Sequence, residues 1–155
     1  MSRTSLTKTE KEELHELLET IIQPTVYHFG SDRTGVARYD KRENMYGGEG
    51  VVYLMQMFEE DDLVNNRIGA YMILPEKGVS AGFHTHGTRN EQEVYVVISG
   101  EGKYFEKDDW ESDARSYPIT AGNLTTVRGD AFHSVVNTSD SPLVIFVITT
   151  NEPHT

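Results

Sequence analysis

Three histidines and one glutamate have the residue types and the spacing of a metal site. His84 and His86 are separated by one residue. Side chains alternate between the two faces of a β-strand, so both rings are expected to point the same way. Glu93 lies at the start of the next predicted strand, and His133 opens a later one. Neutral imidazoles and a carboxylate suit one borderline divalent metal, such as manganese, iron, nickel or zinc.

Two further residues share the predicted face of Glu93. Glu91 and Tyr95 both differ from it by two positions, so the three side chains point to the same side of the strand. Glu91 is therefore an alternative to Glu93 as the carboxylate of the site. A carboxylate or a phenol beside a metal can also exchange protons with a substrate. Glu91 and Tyr95 are accordingly the candidate catalytic residues.

The remaining histidines have no partner at a useful spacing. His15 falls on the polar side of a predicted helix, and His28 and His154 stand alone in polar surroundings. We interpret all three as ordinary surface residues.

Composition limits the partners that the protein can have. The chain has 155 residues, enough for one domain with a hydrophobic core, and no cysteine, which excludes thiolate metal sites. Its 14 Lys and Arg against 25 Asp and Glu give a net charge of −11, which argues against nucleic acid and anionic membranes as partners. The polar N-terminus predicts no signal peptide, and a cytoplasmic location is expected.

The first predicted element is a short amphipathic helix. Thr7 and Glu10 have the spacing of a capping box, and Thr9 with Glu12 is an alternative register. Pro24 is expected to end the helix because proline cannot donate the backbone hydrogen bond. Its apolar residues follow a helical period and are expected to pack on the barrel or on a second subunit: Leu14, Leu17, Leu18, Ile21 and Ile22.

The rest of the chain has the pattern of an all-β domain. A polar stretch from His28 to Asn44 predicts an extended arm with one or two short strands. We assign residues 1–35 to the helix and arm and 36–155 to the barrel. Short runs rich in Val, Ile, Tyr and Phe alternate with turn residues and indicate a sandwich or closed barrel. The predicted strands are Val51–Phe58, Arg67–Leu74, Val79–Thr85, Glu91–Ser99, Lys103–Glu106, Arg115–Tyr117, Leu124–Val127, Phe132–Asn137 and Leu143–Thr149.

Two stretches resemble the motifs of the cupin superfamily. The run from Gly82 to Gly100, with both histidines, the glutamate and a closing glycine, resembles the first cupin motif. The stretch from Gly122 to Asn137 is similar to the second, in which a glycine precedes a histidine and an asparagine. The resemblance implies a double-stranded β-helix jelly roll with one short N-terminal helix. It also implies that the metal ligands are His84, His86, Glu93 and His133.

The first motif departs from the family in one spacing. The segment Gly87 to Gln92, between the second histidine and the glutamate, is longer than is usual in the family. Counting back from the turn glycine Gly100 favours Glu93 as the ligand. Glu91 remains the alternative because it shares the same face.

The second motif departs in the turn before its histidine. Arg128 and Asp130 replace the usual proline and second glycine. Arg128 is a candidate for binding a carboxylate or phosphate of the substrate, and Arg89, between the predicted ligands, is a second. A solvated turn residue is the alternative interpretation of Arg128.

A segment upstream of the motifs resembles one particular group within the cupin superfamily. The run Arg42 to Gly50 is similar to that of small bacterial single-domain cupins described as mannose-6-phosphate-isomerase-like. Four protein ligands leave up to two positions open on an octahedral ion, where a substrate carbonyl could bind. The leading hypothesis is therefore a metal-dependent isomerase, epimerase or lyase that acts on a small sugar, sugar acid or keto acid. An iron-dependent dioxygenase and a non-enzymatic small-ligand-binding protein are the alternatives. The resemblance to small single-domain cupins also implies a homodimer, with the apolar stripe of the helix at or near the contact.

Overall fold

The computed structural model describes residues 2–25, 27, 35–58 and 66–151. His28 and His154 lie outside the described residues. Within these described ranges, the regular structure consists of two sheets, one helix and two short 3₁₀ turns (Met45–Gly47 and Gly87–Arg89). Helix α1 spans Lys8–Glu19. The strands are β1 (Ser2–Thr4), β2 (Arg38–Glu43), β3 (Val51–Gln56), β4 (Asn66–Leu74), β5 (Ser80–Thr85), β6 (Glu91–Ser99), β7 (Glu101–Lys107), β8 (Arg115–Thr120), β9 (Leu124–Val127), β10 (Phe132–Asn137) and β11 (Leu143–Asn151).

The strands form two antiparallel sheets. The larger has the order β1-β2-β3-β4-β11-β6-β9, and the smaller has the order β5-β10-β7-β8. Because the chain passes back and forth between the sheets, the architecture is the predicted jelly roll. All nine strands predicted from Val51 onward are present, and β2 accounts for the strand expected in the arm. Strand β1, which pairs with β2, was not expected.

Helix α1 begins with the predicted capping box. The Glu10 amide donates to the Thr7 hydroxyl at 3.1 Å, and the Thr7 amide donates to the Glu10 carboxylate at 2.8 Å. The helix ends at Glu19, earlier than the position of Pro24 predicts. The chain continues through one more turn, in which the amides of Ile21 and Ile22 both donate to the carbonyl of Leu18.

Two apolar clusters hold the fold together. The first fills the space between the sheets and includes Leu54 and Met72. The second lies on the outer face of the larger sheet, where α1 covers Met55 and Ile73. The helix stripe therefore packs on the barrel of its own chain, which was one of the two expected arrangements. The homodimer stays a prediction.

The helices of the described ranges are short or polar for a membrane span. Among those residues, no helix is long and apolar enough to cross a membrane.

Candidate metal centre

The four predicted ligands come together between the two sheets. In the smaller sheet, β10 pairs with β5 so that His133 lies directly opposite His84. His86 follows the end of β5, which stops at Thr85 as predicted, and it begins the second 3₁₀ turn. Glu93 comes from β6 of the larger sheet, beside Thr149 of β11. Both sheets therefore contribute to the cluster.

The spacing of the ligand atoms fits a single ion. His133 Nε2 lies 3.0 Å from His84 Nε2 and 3.2 Å from Glu93 Oε1, which is 3.3 Å from His86 Nε2. One ligand atom from each residue lies within 4.8 Å of all the others. Two nitrogens bound to one ion at about 2.0–2.1 Å, and at right angles, are roughly 3 Å apart. The cluster His84, His86, Glu93 and His133 could thus bind a metal.

The outer side of each histidine ring faces a group that fixes its orientation. His84 Nδ1 lies 2.8 Å from the carbonyl of Gly82, which can only accept a hydrogen bond. Nδ1 of this ring therefore carries the proton, and the lone pair of Nε2 points to the centre of the cluster. His133 Nδ1 contacts the Tyr104 hydroxyl at 2.9 Å. Metal-binding histidines usually have such outer partners, which select the tautomer and raise the basicity of the ligand.

Glu91 lies behind His86 rather than among the ligand atoms. One of its carboxylate oxygens is 3.5 Å from His86 Nδ1, on the side of the ring opposite the Nε2 that faces Glu93. Its side chain is 1% exposed. The cluster therefore contains Glu93 and not Glu91. Glu93 has an outer partner of its own, because the Thr149 hydroxyl donates to its second oxygen at 2.6 Å.

The protonation states of the cluster suit metal binding. Burial, together with neighbouring His133, lowers the pKa of His84 to about 3. Burial also lowers the pKa of His133, against the opposing effect of Glu93. Burial alone would raise the pKa of Glu93, but the rings of His133 and His86 hold it well below its usual value. Neutral imidazole and ionised carboxylate are the forms that bind metal ions.

Tyr95 lies beside the cluster, as predicted. Its ring stacks on that of His133 with the centroids 5.1 Å apart. Burial raises the pKa of the Tyr95 hydroxyl well above its ordinary value, and the nearby Glu93 carboxylate acts in the same direction. Tyr95 therefore keeps its proton near neutral pH, which makes it a hydrogen-bond donor rather than a base.

A small cavity of about 20 Å³ adjoins the cluster. Three predicted ligands, His84, His86 and Glu93, line it, and Tyr95 does too. Arg42 and Tyr46 also line it, although the sequence indicated no role for them. One signal was available for Arg42: it and Asp40 are opposite charges two positions apart, which places both on one face of β2. The other lining residues are apolar: Met45, Leu54, Ile68, Met72 and Val147.

Tyr46 covers one of the ligands. Its ring stacks on that of His84, with the centroids 3.8 Å apart and the planes 15° from parallel. The residue has φ 52° and ψ 35°, a left-handed conformation that costs about 1–2 kcal/mol for a residue other than glycine. Two glycines let this segment lie against β5. A Cβ on Gly82 would be 2.2 Å from the Tyr46 carbonyl oxygen, and one on Gly48 would be 2.2 Å from that of Ser80.

The two arginines predicted to bind substrate lie between strands. Arg128 is exposed and directly follows β9. The backbone of Arg89 belongs to the second 3₁₀ turn, and its side chain lies outside the described part of the structure. A substrate-binding role for either residue stays a prediction.

Three solved structures illustrate the likeness of the fold. A predicted oxalate decarboxylase from Thermotoga maritima is 26% identical, with a TM-score of 0.64 over 73% of this chain and 91% of its own. A Cupin 2 conserved barrel domain protein from Salinispora arenicola is 18% identical, with a TM-score of 0.52 over 64% and 76%. A Klebsiella pneumoniae protein with a double-stranded β-helix domain is 17% identical, with a TM-score of 0.51 over 66% and 78%.

Sequence comparisons give the family. No curated protein sequence matches the chain significantly. Residues 70–149, more than half of the chain, match the model of the cupin domain family. The matched range includes all four residues of the metal cluster and the strands that carry them. Fold, motifs and family model agree, and the chain belongs to the cupin family.

Proposed function

We propose that this cupin is a divalent-metal-dependent enzyme of the isomerase or lyase type, acting on a small sugar, sugar acid or keto acid. The observation that carries the proposal is the position of the cluster. Its ligand atoms converge with their outer partners in place, and three of the four residues line a cavity that also contains a protonated phenol. A metal with a purely structural role would have no use for such a cavity.

The residues of the site would have separate roles in metal binding, substrate binding and exclusion of water. His84, His86, Glu93 and His133 would hold the ion. When bound, a divalent ion supplies a Lewis acid that stabilises negative charge developing on a substrate oxygen. Tyr95 would donate a hydrogen bond to the substrate from its protonated hydroxyl. The apolar wall would keep bulk water away, which strengthens every electrostatic interaction in the site.

Two observations favour a lyase over an isomerase. An isomerase that works through an enediolate needs a base to remove a proton, but Tyr95 keeps its proton and Glu91 lies behind His86. Loss of carbon dioxide from a carboxylate does not begin with proton abstraction. The relative from Thermotoga maritima, 26% identical, is described as a predicted oxalate decarboxylase, and decarboxylases are lyases.

Metal content is the first measurement. Plasma mass spectrometry of the untagged protein should find about one transition-metal ion per chain, as expected for a single four-ligand site. The variants His84→Ala and His133→Ala should lose it. His15→Ala changes a histidine of α1, outside the cluster, and should retain the ion. A wild type that binds no ion after reconstitution with manganese, iron, nickel and zinc would overturn the proposal.

Turnover is the second measurement. The loaded protein should convert a carboxylic acid or carbonyl compound from a small-metabolite panel, and the His84→Ala variant should not. Manganese, nickel or zinc in the purified protein would direct the assays to decarboxylation and isomerisation, whereas iron would direct them to dioxygen uptake. Metal binding without turnover of any compound would instead support a ligand-binding protein.

A further inference from the structure

We propose that Arg42 binds the anionic group of the substrate, so that the site is selective for small carboxylates. This inference rests on the proposed function, since it identifies the class of substrate for the same site. It concerns a residue upstream of both cupin motifs.

The position of Arg42 follows from the alternation of β2. Asp40 and Arg42 are buried, while their neighbours in the strand are more exposed. Arg42 pairs with Val52 of β3, which belongs to the cluster between the sheets. The guanidinium therefore points into the barrel. There it lines the same cavity as the metal-ligating side chains and is only 6% exposed.

A neighbouring buried carboxylate lies close to the charge of Arg42. Its Nη2 lies 3.9 Å from Asp40 Oδ2, which is also 3.5 Å from Nε of Arg38. Two arginines thus share one carboxylate. A guanidinium has five N–H donors in a planar fork, which suits bidentate binding of a carboxylate. One arginine can therefore contact Asp40 and a ligand at the same time.

The charge of the cluster also favours an anion. Glu93 provides one negative charge against the two positive charges of a divalent ion, and the imidazoles are neutral. The buried carboxylates of Glu91 and Asp40 offset the remaining charge of the ion and the charge of Arg42, but neither lines the cavity. The positive groups that face the cavity would therefore be the ion and the guanidinium of Arg42. A small anion between them would contact both in a site of low dielectric constant, where electrostatic interactions are strong.

The rest of the wall argues against a polyol. Apart from the ligands, the two tyrosines and Arg42, the described residues that line the cavity are methionine, leucine, isoleucine and valine. The hydroxyl groups of a sugar would be buried here without partners, at a cost for each. The cavity of about 20 Å³ has room for little more than a water molecule, so a compact ligand requires the least rearrangement.

Matched pairs of ligands test the inference. Glycolate and pyruvate would be compared with glycolamide and pyruvamide, which have nearly the same shape but no charge, by calorimetric titration of the metal-loaded protein. We expect the carboxylates to bind roughly tenfold or more tightly than the amides, because hydrogen bonds to charged groups are the stronger ones. Arg42→Gln should remove most of this preference, and Arg42→Lys should keep part of it, since lysine retains the charge without the fork.

Arg38→Gln is the matched control. Arg38 contacts the same oxygen of Asp40, but its side chain is 61% exposed and it does not line the cavity. This variant should bind both ligand types as the wild type does. All variants should retain their metal, which separates anion binding from metal binding.

Each outcome shows whether Arg42 gives the site a preference for carboxylates. Equal binding of carboxylates and amides by the wild type would overturn the inference, as would an Arg42→Gln variant with an unchanged preference. If Arg42→Gln does not fold, the wild-type comparison and Arg42→Lys give the answer. A wild type that does not load metal overturns both the proposed function and the inference. A loaded protein that prefers carboxylates but converts no compound overturns only the proposed function.

Discussion

At the scale of single residues, the outer partners of the ligands determine how the cluster works. The sequence predicts the ligands because two short motifs bring the right residue types together. It favours Glu93 over Glu91 only through the spacing to Gly100, since both lie on the buried face of β6. What separates them is the position of His86, whose Nε2 faces Glu93 and whose Nδ1 faces Glu91. That arrangement depends on the geometry of the turn between β5 and β6, which the alternation of residues in the strands does not predict.

The variant Glu91→Gln tests whether Glu93 is the ligand and Glu91 only orients His86. Loss of an outer-shell carboxylate typically lowers metal affinity about 10- to 100-fold, because the ligand ring loses its orienting partner. We expect a loss of this size for Glu91→Gln, measured by competition with a chelator, and a complete loss for Glu93→Ala. If Glu91→Gln also lost the metal completely while Glu93→Ala retained it, the assignment of the ligand would be reversed.

The buried histidines make the metal-free protein sensitive to acid. The pKa of His84 is about 3 in the folded chain, against 6.5 for the exposed ring. Below pH 6.5 the unfolded state binds a proton that the folded state does not, so stability falls as the pH decreases towards 3. Each unit of pKa difference corresponds to about 1.4 kcal/mol, which makes the total several kcal/mol.

Urea denaturation of the metal-free protein at pH 7 and pH 5 measures this effect. The midpoint should be lower at pH 5. The difference should be smaller in a His84→Gln variant, because that side chain does not titrate. An equal pH dependence in both proteins would mean that other groups are responsible.

At the scale of the elements, the segment Arg42 to Gly50 is the part that sequence patterns explain least. The strands of the barrel were predictable because each is a β-branched or aromatic run between turn residues. Strand β1 was not, since its sequence Ser-Arg-Thr has no apolar alternation. Tyr46 lies over His84 only because the segment packs on β5, far away in the chain. Such long-range contact has no local signature.

Gly48→Ala tests how closely the segment must pack. The added Cβ would be 2.2 Å from the Ser80 carbonyl oxygen, so the segment must move away from β5. Overpacking of this kind typically costs about 1–3 kcal/mol. We expect a loss of that size in the free energy of unfolding, together with weaker metal binding as Tyr46 shifts from His84.

Gly35→Ala is the control for this substitution. A Cβ at Gly35 meets no atom of the described residues within 4 Å. Its stability and metal affinity should stay close to those of the wild type. If Gly48→Ala were equally harmless, the close approach of the segment to β5 would not be needed.

At the scale of the whole molecule, the cluster joins the two sheets. His84 and His133 belong to the smaller sheet and Glu93 to the larger. An ion that binds the folded chain but not the unfolded one stabilises it by an amount that grows with its concentration, about 2.7 kcal/mol at 100 times the dissociation constant. The chain has no cysteine, so no disulfide can link the two sheets.

Thermal unfolding with and without a chelator measures this contribution. We expect the melting temperature to fall by several degrees when the ion is removed and to recover when it is restored. The His84→Ala variant should show no such difference. Equal melting temperatures for the loaded and stripped wild-type protein would mean that the ion does not connect the sheets.

The pairing of β10 with β5 has a kinetic consequence. Three ligands come from one short stretch of chain, whereas His133 comes from β10, whose register with β5 shifts between His133 and Val135. Separation of β10 from β5 would remove one ligand and leave the other three in place. We therefore expect the exchange rate of the ion with solution to follow the local opening of this strand pair, so that slow release would reflect the rarity of that opening more than the strength of any single bond.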